Sequence, residues 1–252
     1  MTNQTIKVLT YNIHKGFSTT NRNFVLHDIK SALQNIGADI VFLQEIQGEH
    51  HKKSSSIVDW PSEPQFEFLA DEVWPHHAYG KNAIYRSGHH GNAILSKHPF
   101  TGWENINVAT MKNASRSLLH GIIDIPHSAK PVHVICVHLG LFEKERSMQF
   151  GKLCERIDSH IPHDEPLIIA GDFNDFWGRA EHHLQDDLEL TEVFKKMTGS
   201  HARSFPSWLP VMHTDRIYFR GVEPLHYERL KHTPWKRLSD HIPLIAEFEV
   251  KA

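Results

Sequence analysis

Apolar residues fall into short blocks along this chain, separated by polar and glycine-bearing segments. Four continuous blocks read as buried strands: residues 6–9, 40–43, 132–137 and 167–170. Near the C-terminus, Ile242, Leu244, Ala246, Phe248 and Val250 recur with period two, the spacing of a strand. Segments 118–125 and 216–219 add two more strand candidates. Helical spacing occurs twice. Leu26, Ile29, Leu33 and Ile36 share one face, with Gly37 as the stop. Phe150, Leu153, Cys154 and Ile157 share a face within a helix expected over 143–159. Polar stretches at 48–64 and 199–210 read as loops. Strands outnumber helices, and hairpin-like spacing alternates with single helical crossovers. The pattern predicts an α/β architecture of packed sheets with helices outside. No repeat, low-complexity tract or long linker divides the sequence, so one domain over 1–252 is expected.

The polar residues that follow the apolar blocks carry the chemistry. Block 6–9 runs into Thr10-Tyr11-Asn12, 40–43 into Gln44-Glu45, 132–137 into His138, and 167–170 into Gly171-Asp172-Phe173-Asn174. Two further strands begin with such groups: Asp215 before 216–219, and Ser239-Asp240-His241 before Ile242. Taken singly, each is an ordinary wet strand end. Antiparallel neighbours would bring beginnings and ends to one rim, where carboxylates, amides and imidazoles suit a hard cation and a phosphate.

Composition narrows the classes. The chain is 40% hydrophobic with a formal net charge of −3, a poor balance for gripping duplex nucleic acid without sequence preference. Two cysteines, Cys136 and Cys154, are too few for a disulfide scaffold. No apolar run approaches the roughly 18 residues of a membrane span, and the N-terminus lacks a signal-like apolar stretch. A soluble, cytoplasmic, monomeric protein with no obligate protein partner is expected. Among the 22 histidines, the adjacent pairs His50-His51, His76-His77, His89-His90 and His182-His183 lack zinc-site spacing and read as solvated, with His89-His90 placed to face a cleft. The basic, aromatic stretch 229–237 reads equally well as a polyanion or lipid-headgroup contact and as a solvated loop.

Tyr11-Asn12-Ile13-His14, Leu43-Gln44-Glu45, Val137-His138-Leu139, Gly171-Asp172-Phe173-Asn174, Asp215-Arg216-Ile217 and Ser239-Asp240-His241 occur in an order that resembles the endonuclease/exonuclease/phosphatase superfamily. Asn12-Ile13-His14-Lys15-Gly16 and 88–93 look most like a small bacterial branch, the YbhP-like proteins. The resemblance implies a four-layered α/β sandwich of the DNase I-like kind, with two packed, mostly antiparallel sheets flanked by helices. It implies a divalent-metal-dependent phosphoesterase, with a phosphodiester as the favoured substrate: a nucleic-acid end, a phospholipid or a small phosphodiester. A catalytically silent phosphate- or polyanion-binding module on the same fold is the alternative. The resemblance makes Glu45 a ligand of Mg²⁺, with Mn²⁺ as a substitute; Asn12 would lie beside that metal and hydrogen-bond phosphate or a ligand, and Asp240 would ligate the metal or fix His241. Asp172 would hold or deprotonate the attacking water, and Asn174 would orient phosphate or the attacking oxygen. His241 would stabilise transition-state charge or act as base, His138 would contact phosphate, and Asp215 would orient one of the two histidines. Arg116 and Asn92 are expected at the substrate phosphate.

Overall fold

The protein's structure, a computed structural model, describes residues 4–110, 116–176, 178, 184–185 and 188–251. The apolar blocks become strands of two six-stranded sheets. The first runs β11-β12-β1-β2-β4-β3, with β1 Gln4–Asn12, β2 Ile40–His50, β3 His76–Tyr85, β4 Gly88–Ser96, β11 Glu223–Arg229 and β12 Leu244–Val250. The second runs β5-β6-β7-β8-β10-β9, with β5 Phe100–Asn107, β6 Ser117–Ile123, β7 Val132–His138, β8 Leu167–Asp172, β9 Thr191–Glu192 and β10 Asp215–Arg220. Two central pairs, β1–β2 and β7–β8, are parallel and every other pair is antiparallel.

Why these blocks are continuous is visible in where each side chain goes. Ile6, Val8, Ile40, Phe42, Val134, Cys136, Ile168, Ala170, Ile217, Phe219, Leu244 and Ala246 form a core between the two sheets. The alternate residues Leu9, Tyr11, Val41 and Leu43 pack outward under helices α1 Leu26–Ile36 and α3 Gln65–Ala70. Ile135, Val137, Leu167 and Ile169 pack outward under α4 Glu143–His160. Strands covered on both faces have no polar position to alternate with. The resulting order is helix, sheet, sheet, helix, the four layers expected.

Helix α1 ends where expected: Gly37 takes a left-handed conformation, φ 62°, and its N–H bonds the Leu33 carbonyl. The stretch expected as a loop from residue 48 differs. Strand β2 continues to His50, and a short helix, α2 His51–Ser54, follows. Helices α5 Val193–Thr198 and α6 Trp235–Leu238 follow later in the chain, and among the described residues no helix is long and apolar enough to cross a membrane. His182 and His183 lie outside the described residues.

Strand β8 crosses close to β7 at Gly171. Its φ is 148°, and a Cβ there would sit 2.0 Å from the Val137 carbonyl oxygen. Gly171→Ala is therefore expected to destabilise the fold by about 3 kcal/mol through backbone strain and a backbone clash. Urea unfolding of the variant beside wild type measures it, and a loss below a few tenths of a kcal/mol contradicts the assignment.

Candidate active site

The inter-sheet core ends in polar residues at one end of the sandwich. Asn12 continues the inward series of Val8 and Thr10, His138 that of Val134 and Cys136, and Asp172 that of Ile168 and Ala170, while Asp215 precedes Ile217. In the second sheet His138 and Asp215 both pair with Asp172, one from each side. The parallel β7–β8 pair brings two strand ends together, and the antiparallel β8–β10 pair adds a strand beginning. From the first sheet, Asn12 Nδ2 donates across the seam to Asp172 Oδ2 at 3.2 Å.

Asp172 is the centre of the cluster. Its Oδ1 accepts from the backbone N–H of Asn174 at 3.0 Å. Its Oδ2 lies 3.6 Å from His138 Nε2 and 3.8 Å from His241 Nε2. Burial pushes the Asp172 carboxyl up to about 7, against the pull of His241 and with Asp215 adding to the rise. His241 is held from its other side: Nδ1 bonds Asp215 Oδ2 at 2.8 Å, and Thr214 Oγ1 donates to the same oxygen at 2.8 Å. Burial alone would lower the His241 pKa, but Asp215 and then Asp172 raise it to about 10. Asp215 therefore orients His241. His138 goes the other way, driven well below the usual histidine value by burial and by the neighbouring Arg116. At neutral pH one imidazole is a cation and the other is neutral.

Asn174 sits in a left-handed conformation, φ 49°, and its Nδ2 donates to the Leu139 carbonyl at 3.0 Å. Its role in this geometry is to hold Asp172 and the end of β7. Arg116 Nε donates to the same Leu139 carbonyl at 3.2 Å, which puts the guanidinium within electrostatic reach of His138 and His90.

Glu45 is aimed by a bulge. The β2–β4 register shifts between Leu43 and Ile46, and Glu45 takes φ 57°. A bulge at a strand end re-aims one side chain, here a carboxylate that the regular pleat would direct elsewhere. Lys15 Nζ bonds Glu45 Oε2 at 2.8 Å. Burial would raise the Glu45 pKa, but His138 and Lys15 outweigh it and bring it to about 2. Because His138 is neutral at pH 7, Lys15 supplies that stabilisation there. Lys15 projects from the turn His14–Gly16, where His14 and Lys15 both have positive φ. Lys15 belongs to the motif Asn12-Ile13-His14-Lys15-Gly16, which by itself assigns it no task. A lysine three positions after the motif asparagine was the available signal. His90 faces the same group of charges, and burial and Lys15 lower it to about 4.

Two sets of side chains in this site carry donors that a metal could use. Donor atoms of Asp172, Asp215 and His241 lie within 4.8 Å of one another. His241 Nδ1, however, already bonds Asp215 Oδ2 at 2.8 Å, and a proton held there has to leave before the imidazole can ligate. The ionised Glu45 carboxylate, the Asp240 carboxylate and the Asn12 amide oxygen are hard oxygen donors of the kind Mg²⁺ and Mn²⁺ take. Asp240 Oδ1 lies 3.8 Å from His14 Nδ1 and accepts from Ser239 Oγ at 3.2 Å. Asn12 Oδ1 already accepts from the His14 N–H at 3.1 Å, leaving one lone pair. Asn92, expected at the phosphate, lies in β4 opposite the bulge that carries Glu45. It is 0% exposed, and its Nδ2 donates to the Ser117 carbonyl at 3.2 Å, joining β4 to β6 across the core.

Residues 9–241 match the model of the endonuclease/exonuclease/phosphatase family. The chain belongs to this family. Endonuclease/exonuclease/phosphatase proteins generally hydrolyse phosphoesters and usually use a divalent metal. The chain is similar to the Escherichia coli (strain K12) protein called uncharacterized protein YbhP, 42% identical over 97% of this chain and 96% of that one. In fold it is similar to an endonuclease/exonuclease/phosphatase from Beutenbergia cavernae (TM-score 0.77, 16% identity, 99% of this chain and 72% of that one). It is also similar to D. rerio TDP2 complexed with single strand DNA product (TM-score 0.69, 19% identity, 97% and 99%).

The opposed charge states of the two imidazoles are directly measurable. In ¹⁵N-histidine spectra at pH 7, His241 should show the imidazolium pattern and His138 the neutral one. The reverse assignment, or two neutral rings, contradicts the described electrostatics.

Proposed function

We propose that the protein is a divalent-metal-dependent phosphodiesterase that cleaves its substrate by in-line attack of water. The observation that carries this reading is the Asp172 carboxyl, buried with a proton affinity near neutrality and facing an imidazolium, His241, that Asp215 keeps charged. A carboxylate in that state can orient water and accept its proton at physiological pH. As the water O–H bond breaks and the proton passes to Asp172, the new P–O bond forms and the bond to the leaving oxygen breaks, with the departing alkoxide taking a proton from solvent. His241 stabilises the charge that grows on the phosphoryl oxygens, and neutral His138 donates a further hydrogen bond. Asn12 and Asn174 position Asp172 from opposite sheets. Arg116 adds fixed positive charge at the rim. A divalent cation held by Glu45, with Asp240 and Asn12, would supply Lewis-acid polarisation of the phosphate.

Nucleic-acid ends, phospholipids and small phosphodiesters all present this chemistry. The net charge of −3 argues against a long duplex as the substrate. Family membership and the filled positions at Asn12, Glu45, His138, Asp172, Asp215 and His241 favour turnover over silent binding.

The test is hydrolysis of bis-p-nitrophenyl phosphate with Mg²⁺, Mn²⁺ and EDTA arms. Asp172→Ala, His241→Ala and Glu45→Ala should each lower the metal-dependent rate by about 10³-fold. Glu45→Ala should also lose the thermal shift that Mg²⁺ or Mn²⁺ gives wild type. Full activity in any of the three sinks the assignment. Binding of phosphate by wild type without turnover of any diester would carry the silent-module reading instead.

A further inference from the structure

Much of the apolar surface that the core leaves uncovered is gathered in one loop. Trp208, Leu209, Val211 and Met212 are 65%, 55%, 50% and 41% exposed. They belong to a closed turn over residues 205–212. Met212 N donates to the Phe205 carbonyl at 2.8 Å, Val211 N to the same oxygen at 3.0 Å, and Leu209 N to the Pro206 carbonyl at 3.1 Å. The base of the turn is fastened to the candidate active site. Ser207 N donates to the Asp240 carbonyl at 2.7 Å, Ser207 Oγ donates to the Ser239 carbonyl at 2.7 Å, and the Phe205 ring lies 4.9 Å from the His241 ring. The apolar tip therefore has a fixed place beside the catalytic cluster.

A second apolar lip leaves the same rim. Leu141 and Phe142, 60% and 69% exposed, follow β7 on the loop whose Leu139 carbonyl serves Asn174 and Arg116. Strand β7 ends and β10 begins at the same rim, so both lips leave the sandwich there. Positive charge accompanies the larger lip. Exposed Lys236 and Arg237 share with Trp208 a cavity of about 740 Å³, in which Asp28 is the acidic residue.

An exposed aromatic and aliphatic tip with lysine and arginine beside it matches a bilayer interface. Tryptophan sits at headgroup level, aliphatic side chains lie below it, and cations meet anionic headgroups. Single-stranded nucleic acid is the competing occupant. It would stack on Trp208 and pair its phosphates with the basic groups. It would leave Leu209, Val211, Met212 and Leu141 in water, where clustered aliphatic side chains are unfavourable.

We propose that the 205–212 turn and the 141–142 lip dock the protein on an anionic phospholipid surface, presenting a lipid headgroup phosphodiester to the Asp172 cluster. Docking stands on the surface alone. Only the presentation of a diester for cleavage rests on the phosphodiesterase reading.

The test is flotation of the full chain with phosphatidylglycerol–phosphatidylcholine vesicles and with phosphatidylcholine vesicles. Wild type should float with the anionic vesicles, less so as salt is raised. Trp208→Ser/Leu209→Ser should reduce vesicle binding by about tenfold or more, with Lys236→Gln/Arg237→Gln weakening it on anionic vesicles selectively. If the first variant fails to fold, Leu141→Ser/Phe142→Ser reads the second lip independently. No flotation of wild type, or equal flotation of folded lip variants, overturns the proposal. So does Trp208-dependent binding of a single-stranded oligonucleotide in place of vesicles. Flotation needs no turnover, so the two readings fail separately. Vesicle binding by a protein that cleaves no diester removes the phosphodiesterase reading, whereas soluble-diester cleavage without vesicle binding removes this one.

Discussion

The burial of one carboxyl group, that of Asp172, governs the candidate site. It lies at the seam of two sheets, where little water reaches its charge and the protein must supply donors instead. One donor comes from each side: the Asn12 amide from the first sheet and the Asn174 backbone from the turn after β8. Those two bonds leave the group short of full compensation, so its proton affinity rises to about 7. The same burial brings His241 close enough for Asp172 and Asp215 to keep it protonated. A buried acid poised near neutrality beside a fixed cation is thus a consequence of where the two sheets meet.

Geometry follows from strand alternation. The inward positions that carry Val8, Cys136, Ala170 and Ile217 through the core carry Asn12, His138, Asp172 and Asp215 at its end. No special backbone is needed for these four. Glu45 and Lys15 are different, since the first depends on a bulge and the second on a turn with two consecutive positive φ values. Where those backbones bend, a carboxylate and an ammonium meet, and the Lys15–Glu45 pair keeps Glu45 ionised in a partly buried position. The apolar turn over 205–212 is bonded to this same frame through Ser239 and Asp240.

Much of this was legible in the sequence. Strands buried on both faces stand out as unbroken apolar blocks, so β1, β2, β7 and β8 were readable, and with them the polar residues at their ends. Helix α1 was readable because spacing and Gly37 agreed. Strands β3, β5, β9 and β11 were not read, since they lie at sheet edges where one side meets solvent and the apolar signal thins. Strand β4 is internal, but Gly88, His89, His90 and Gly91 interrupt its apolar pattern. The place of Asn92 was hard to read for a related reason. An asparagine inside a strand of the first sheet can point into the core as readily as toward the rim, and only the β4–β6 contact decides. The partner of Asp215 stayed open because nothing in a linear sequence separates His138 from His241 as its neighbour. The pairing of Lys15 with Glu45 depends on two local distortions, which residue pattern alone does not encode.

The central claim is that Asp215 sustains the charge on His241 while Asp172 accepts the proton. It is tested most directly by the pH dependence of kcat/KM on a soluble phosphodiester, in wild type and in Asp215→Asn. An acid must be deprotonated at Asp172 and a cation retained at His241, so the rate should rise with a midpoint near pH 7, level off above it and fall again with a midpoint near 10. Removing the Asp215 charge should draw the alkaline fall down toward neutrality and, because Asp215 also helps hold the Asp172 pKa up, shift the acid limb lower as well. An alkaline limb that stays near its wild-type position in Asp215→Asn would contradict the account.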